Sequence, residues 1–275
     1  MESPPSPDTL VPLLAEASST SRRQVKAALL GLGAEAIPAL RRAADGDDAV
    51  LRARARQVLL ELRRRRGLER LRHLLSDPAA SLEEGLMAID EVLGAADPAR
   101  DVPGQLDGWA RAVEARAAAG APARAAAEAL RHVLAGEEGF IGASDDFHNS
   151  THVSLTRTVE DRRGLPLTLC AVYALVGRRA GLHADLLPFP GHVLLLVRGE
   201  DEEVILDPFG GARSLSEADC LSRLQRLGLP PSPTWFEPSS DVVMVTRQLR
   251  NLVTSMHRHG RTRDARELVE LLGEA

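Results

Sequence analysis

Residues 164–182 read GLPLTLCAVYALVGRRAGL, followed by LPFPGHVLLLV at 187–197 and ILDPFGGARSLSEADC at 205–220. The first segment is apolar over more than three turns and has Pro166 near its start, which predicts a helix from about 166 to 180. The apolar runs 192–198 and 203–207 have the length of strands. The polar residues 199–202 between them predict a hairpin turn, so a helix and an antiparallel sheet follow each other here.

Two polar side chains stand at the ends of these predicted strands. His192 begins the first strand and Asp207 ends the second, with 15 residues from one to the other. Across a hairpin, these positions lie side by side, and the carboxylate can accept the imidazole Nδ1–H and orient the ring. The pair has three interpretations that remain open. It forms a functional pocket, it is a buried hydrogen-bonded pair that fixes the two strands, or the two side chains are simply exposed.

Cys170 lies near the start of the predicted helix. A thiol in the first turn of a helix is favoured as a thiolate by the free backbone N–H groups, which makes it reactive. With His192 and Asp207 it would complete a Cys-His-Asp arrangement for acyl transfer. A cysteine on the core side of the helix would instead have a raised pKa and be inert.

These segments, with GFIG at 139–142, resemble the SirB1 family of the transglutaminase-like superfamily, whose usual pattern has a GIPI-T/S-L segment, then PGH, then DPF with a glycine pair. The resemblance covers about residues 78–272. It implies a transglutaminase-like (papain-like) α+β core. Active members of the superfamily place a cysteine in the first turn of the helix, and Thr168 occupies that slot here. If Thr168 faces His192, Cys170 faces away from it, because two residues along a helix rotate the side chain by about 200°.

The regions on either side of this core are predicted to be helical. GAEAIPALRRAADGDDAVLRARARQVLLEL at 33–62 resembles a HEAT repeat, with plain helical decoration as the alternative. Residues 246–272 resemble a tetratricopeptide-like helical pair. The sequence therefore predicts four segments: a HEAT-like extension at 1–76, a helical part at 77–138, the transglutaminase-like core at 139–238 and a C-terminal helical pair at 239–275.

Net charge, the length of the apolar runs and the number of cysteines indicate which partners and which cellular compartment to expect. The 275 residues carry a formal net charge of −5, which does not favour nucleic acid as a partner. The apolar runs are shorter than the roughly 20 residues that a membrane helix needs, so no membrane partner is predicted. Cys170 and Cys220 are too few for a disulfide framework, which favours a cytoplasmic protein. Neither a cofactor nor a metal is predicted, and the oligomeric state stays open.

The leading functional hypothesis is a binding or regulatory module with a non-catalytic or altered site, whose helices over 8–75 supply a surface for a protein partner. The alternative is a cysteine-dependent acyl-transfer enzyme, a peptidase or amidase, that uses Cys170, His192 and Asp207. The geometry of Cys170 relative to His192 separates the two hypotheses.

Overall fold

A computed structural model describes residues 5–16, 18–96, 100–144 and 150–274 of the chain. The chain divides into two compact units, Met1–Glu69 and Arg70–Ala275. The four segments named above remain a prediction, and residues 145–149 of the third segment lie outside the described residues.

Helices make up most of the described chain. Their bounds are α1 Pro7–Glu16, α2 Ser19–Leu32, α3 Ile37–Ala44, α4 Ala49–Leu75, α5 Leu82–Leu93, α6 Val102–Glu114, α7 Ala123–Leu130, α8 Leu155–Asp161, α9 Pro166–Arg179, α10 Glu217–Arg226, α11 Asp241–Arg258 and α12 Thr262–Glu274. Helix α7 continues as π-helical turns over Arg131–Glu137, and short 3-10 turns lie at Gly33–Ala36, Ser150–Val153, Pro208–Gly210 and Pro233–Trp235.

The first unit has an apolar cluster of its own, formed by one face of each successive helix. Leu14, Leu29 and Leu40 are fully or almost fully buried in it. Residues 45–48 separate α3 from α4, and the Asp48 carboxylate accepts hydrogen bonds from the first free N–H groups of α4, those of Val50 and Leu51. The described residues between 8 and 75 are mostly helical, as predicted.

The second unit contains a four-stranded antiparallel sheet in the order β3-β4-β5-β6. Its strands are β3 His183–Leu187, β4 Leu194–Arg198, β5 Glu203–Asp207 and β6 Arg213–Leu215. A separate parallel pair joins β1 Ile141–Gly142 to β2 Arg163–Gly164. The predicted hairpin is confirmed, because β4 and β5 pair directly and Gly199 N–H donates to the carbonyl of Glu202. The fold is therefore α+β, as predicted.

Helix α9 passes through the centre of the second unit. Every residue from Pro166 to Gly177 is buried, and the helix packs against α6, β3 and β4. A helix that is apolar on all sides has no face for water and belongs in a core. Its position behind β4 brings the segment around Cys170 close to the strand that follows His192.

Candidate functional site

A tight turn places His192 at the end of the sheet. The N–H of His192 donates to the carbonyl of Phe189 at 3.2 Å. Gly191 lies inside this turn with φ +68°, a left-handed conformation that glycine adopts without steric cost. The turn ends where β4 begins, so His192 stands just before the strand and not within it as predicted.

Asp207 reaches the same end of the sheet from the neighbouring strand. It is the last residue of β5, and β5 runs antiparallel to β4, so the start of β4 and the end of β5 lie together. His192 Nε2 lies 2.8 Å from Asp207 Oδ1. The predicted contact is present, but it uses Nε2 and not Nδ1. The turn at Phe189–His192 presents the far nitrogen of the ring to the carboxylate.

Arg223 is a third member of this cluster that the sequence did not reveal. Its Nη2 donates to Asp207 Oδ2 at 2.6 Å, so each oxygen of the carboxylate has a charged or ring partner. Helix α10, which carries Arg223, begins with a capping box between Ser216 and Asp219. One feature of the sequence could have indicated its position. Cys220 lies three residues before Arg223, and residues three apart share a helix face, so the buried Cys220 places Arg223 on the side of α10 that faces the sheet.

The electrostatics of this cluster favour an ionised Asp207. Burial opposes the charge, but the hydrogen bonds and charges of His192 and Arg223 outweigh it and lower the pKa of Asp207 to about 2. An ionised carboxylate only accepts hydrogen bonds, so His192 donates through Nε2–H. In an uncharged ring, the lone pair is then on Nδ1.

Phe209 packs its ring edge-to-face against His192, with the ring centroids 5.6 Å apart. The space for Phe209 depends on Gly142 in β1. A Cβ atom at position 142 would lie 2.6 Å from the Phe209 ring, closer than any ordinary contact. Glycine at this position therefore permits the close approach of the two segments.

A cavity of about 470 Å³ opens beside this cluster. This His192 pocket is lined by Phe189, Pro190, Gly191, His192, Asp207, Phe209, Arg223, Arg226 and Leu227. Its volume falls within the range of about 300–1,000 Å³ that is usual for small-ligand sites. No serine, threonine or cysteine is among these described lining residues. The part of the chain that the structure describes also holds no group of three or more His, Cys, Asp or Glu placed to bind a metal ion.

Cys170 lies outside the pocket lining and has no exposed surface. Its Sγ donates to the carbonyl of Val193 at 3.2 Å, so the thiol faces the strand that follows His192. Burial raises the pKa of Cys170 well above its usual range, and the charge of Asp207 adds to this, while Arg247 opposes it. The thiol is therefore protonated at neutral pH, in the manner of a core cysteine.

Thr168 lies in a different buried network. Its hydroxyl donates to the carbonyl of His152 at 2.9 Å and accepts from Gln248 Nε2 at 2.8 Å. The sequence left the rotation of α9 open: if Thr168 faced His192, Cys170 would face away from it. In the structure, Thr168 faces Gln248 of α11, and the Cys170 thiol faces Val193, the residue that follows His192.

Comparison with known proteins agrees with this arrangement. A family model described as the transglutaminase-like superfamily matches residues 100–250, more than half of the chain. The chain belongs to the transglutaminase-like superfamily. The match includes α9 and the sheet that carry Cys170, His192 and Asp207. No solved structure matches the chain.

Relatives among curated proteins cover parts of the chain. A UPF0162 protein of Xylella fastidiosa (strain 9a5c) is 30% identical over 130 residues, which are 45% of this chain and 46% of the relative. The UPF0162 protein PA3419 of Pseudomonas aeruginosa is 33% identical over 183 residues, 65% of this chain and 66% of the relative. F-box only protein 21 of Mus musculus is 25% identical over 101 residues, which are 34% of this chain and 16% of the relative. The chain thus spans less than half the length of the Xylella relative.

No helix in the described residues combines the length and the apolar character that crossing a membrane requires.

Proposed function

We propose that this protein is a binding or regulatory module of the superfamily, in which the His192 pocket receives a small ligand and no thiol takes part in turnover. One observation carries the proposal: the thiol of Cys170 is fully buried and donates to the Val193 carbonyl, while the imidazole of His192 lines an open pocket. A nucleophile must reach the atom it attacks, and its thiolate is the reactive form. Burial works against both requirements.

Alkylation of the native protein by iodoacetamide near pH 7 tests the proposal, with modification at each cysteine followed by mass spectrometry. We expect Cys170 to react no faster than the buried Cys220, and both to react far more slowly than in urea. Rapid, selective modification of Cys170 would contradict a non-thiol function. Hydrolysis of p-nitrophenyl acetate gives a second readout, which we expect the Cys170→Ala variant to leave unchanged.

A second candidate function, a cysteine-dependent acyl-transfer enzyme, is supported by one contact. The residue bonded to the Cys170 thiol, Val193, follows His192 directly, so a rearrangement of the turn at 189–192 would bring thiol and imidazole together. In this case p-nitrophenolate is released in a burst equal to the protein concentration, and Cys170→Ala and His192→Ala both abolish the burst.

We further propose that the protein is cytoplasmic, belongs with the SirB1 family, and has a HEAT-like extension and a tetratricopeptide-like C-terminal pair. The pairing of α11 with α12 supports the last of these. The binding of a protein partner by the N-terminal helices is likewise a proposal, supported by the exposed apolar side chains of Leu13, Val50 and Leu60.

A further inference from the structure

The charged groups of the His192 pocket do not balance. Its lining contains two guanidinium groups, from Arg223 and Arg226, and one carboxylate, from Asp207. Arg223 is paired with Asp207 through a single Nη2 contact, and a guanidinium has five N–H donors, so most of its donors are not used by that contact. The two guanidinium groups outnumber the one carboxylate, so the arginines and Asp207 together leave one positive charge in excess.

Arg226 is the source of this excess. It lies one helical turn after Arg223 on α10, and its side chain is exposed at the edge of the pocket. Among the residues that the structure describes, none forms an ion pair with Arg226, whereas Arg223 has Asp207. The charge of Arg226 is therefore available to a ligand in the pocket.

The remaining wall of the pocket is apolar. Phe209 is partly exposed there, the fully buried Phe189 lies behind it, and Leu227 is 53% exposed. Leu227 directly follows Arg226, so an exposed apolar side chain and an unpaired positive charge stand next to each other. Sites for small ligands combine such apolar walls with a few polar groups that fix orientation.

We propose that the His192 pocket binds an organic carboxylate, with its charge held by Arg226 and Arg223 and its apolar part packed against Phe209 and Leu227. This inference rests on the proposed binding function and names the ligand class for that site. The planar fork of arginine matches a carboxylate, which can accept two parallel N–H hydrogen bonds. A single excess charge suits a singly charged ligand better than a phosphate dianion.

The test uses the whole 275-residue chain and two probes with the same side chain, the acid N-acetyl-L-leucine and its uncharged amide N-acetyl-L-leucinamide. Binding is measured by calorimetry, and its place by the NMR signals of the His192 ring, assigned through their loss in His192→Gln. We expect the acid to shift these signals and to bind at least about tenfold more tightly than the amide. The preference should shrink as salt is added, because salt screens exposed charges.

Variants at an exposed position locate the effect without a risk to folding. We expect Arg226→Ala to remove the preference for the acid and Arg226→Lys to restore part of it. Arg250→Ala is the matched control, because Arg250 is also exposed on a helix but lies outside the pocket. It should leave the preference unchanged.

Three results would overturn the inference: equal binding of acid and amide, binding of neither, or tighter binding of phenyl phosphate than of N-acetyl-L-leucine. Its failure is distinct from failure of the proposed function. Selective alkylation of Cys170 rejects the non-thiol function and leaves the carboxylate preference standing. Equal binding of the two probes rejects the carboxylate and leaves the alkylation result standing.

Discussion

Arg223 and His192 hold opposite oxygens of one buried carboxylate, Asp207, with donor–acceptor distances of 2.6 Å and 2.8 Å. Asp207 is 3% exposed, and its Oδ1 also accepts from the N–H of Gly210 at 3.3 Å. This single side chain therefore joins the start of β4, the end of β5, the turn that follows it and α10. The carboxylate is as much a structural junction as a member of the site.

The first prediction concerns the charge of this junction. Asp207→Asn keeps the shape of the side chain but leaves Arg223 without its carboxylate. Removing one partner of a buried ion pair typically costs about 3–5 kcal/mol. We expect a loss of this order in the free energy of unfolding, measured with urea at pH 7. Glu128→Gln, which removes an exposed pair with Arg131, is the control and should cost less than about 1 kcal/mol. Equal losses in the two variants would contradict the assignment.

The second prediction concerns low pH. The pKa of Asp207 is lowered to about 2 in the folded protein, from 3.8 as the ordinary value. The stability that Asp207 contributes is therefore fully present above about pH 4 and is lost as the pH falls towards 2, because the unfolded chain takes up the proton first. Urea titrations between pH 5 and 2.5 should show a shallower loss of stability for Asp207→Asn than for the wild type. If wild type and variant lost stability equally over this pH range, the lowered pKa of Asp207 would be contradicted.

The third prediction concerns Asp90, a fully buried carboxylate on α5 that accepts from the N–H of Thr156 at 2.7 Å. Burial raises the pKa of Asp90 from 3.8 to about 6. The folded protein thus holds this proton up to higher pH than the unfolded chain does. The stability linked to it is complete below pH 4 and declines as the pH rises through 6.

At pH 4 the free energy of unfolding of Asp90→Asn should therefore be close to that of the wild type. At pH 8 the variant should be the more stable of the two, by roughly 1–3 kcal/mol. Urea unfolding at both pH values measures the difference. Asp107→Asn, at a half-exposed carboxylate of α6, is the control and should show no such gain. A loss of stability at pH 8 in the Asp90 variant would show that the charge is needed.

The fourth prediction concerns the packing of Phe209. In Gly142→Ala the new methyl group meets the Phe209 ring, so the ring must move and its contact with His192 must change. Overpacking of this kind typically costs about 1–3 kcal/mol. We expect that loss in urea unfolding, together with a change in the NMR signals of the His192 ring. Gly273→Ala, in α12 with open space around it, should cause no loss of stability, because alanine is the better helix former, and should leave the His192 signals unchanged.

The fifth prediction concerns Thr168. Thr168→Val preserves the volume but removes the hydroxyl that links the His152 carbonyl to Gln248. Unsatisfied buried groups typically cost about 1–3 kcal/mol, and we expect a loss of that size in urea unfolding. Binding of N-acetyl-L-leucine should remain as in the wild type. A variant that folds normally but no longer binds the probe would place Thr168 in the site after all.

The sequence predicts the helices and the central hairpin well because their signals are local. The apolar run at 166–180 and the polar turn at 199–202 need no distant partner to be read. Strands β3 and β6 were not predicted, since β6 has three residues and β3 begins with exposed His183. Such short strands are specified by their neighbours and carry little pattern of their own.

The same distinction between local and long-range signals holds for the residues of the site. Hairpin geometry brings His192 and Asp207 together, and spacing alone predicts this. The rotation of α9 does not follow from spacing, because a helix buried on all sides has no polar face to fix its register. The direction of Thr168 therefore stayed a condition, and its hydroxyl in fact meets His152 and Gln248. Arg223 was missed because an ion pair between a helix and the end of a strand leaves no periodic pattern in the sequence.

The burial of α9 from Pro166 to Gly177 affects how the protein unfolds and how it is degraded in a cell. Its backbone amides can meet solvent only when the surrounding elements separate, so hydrogen exchange along Leu169–Val176 is expected to proceed through global opening. The twelve buried positions Pro166–Gly177 become one continuous, mostly apolar segment once the unit opens. Chaperones and proteases recognise such segments, so partial destabilisation of this unit would reduce the amount of protein in a cell before it altered the pocket.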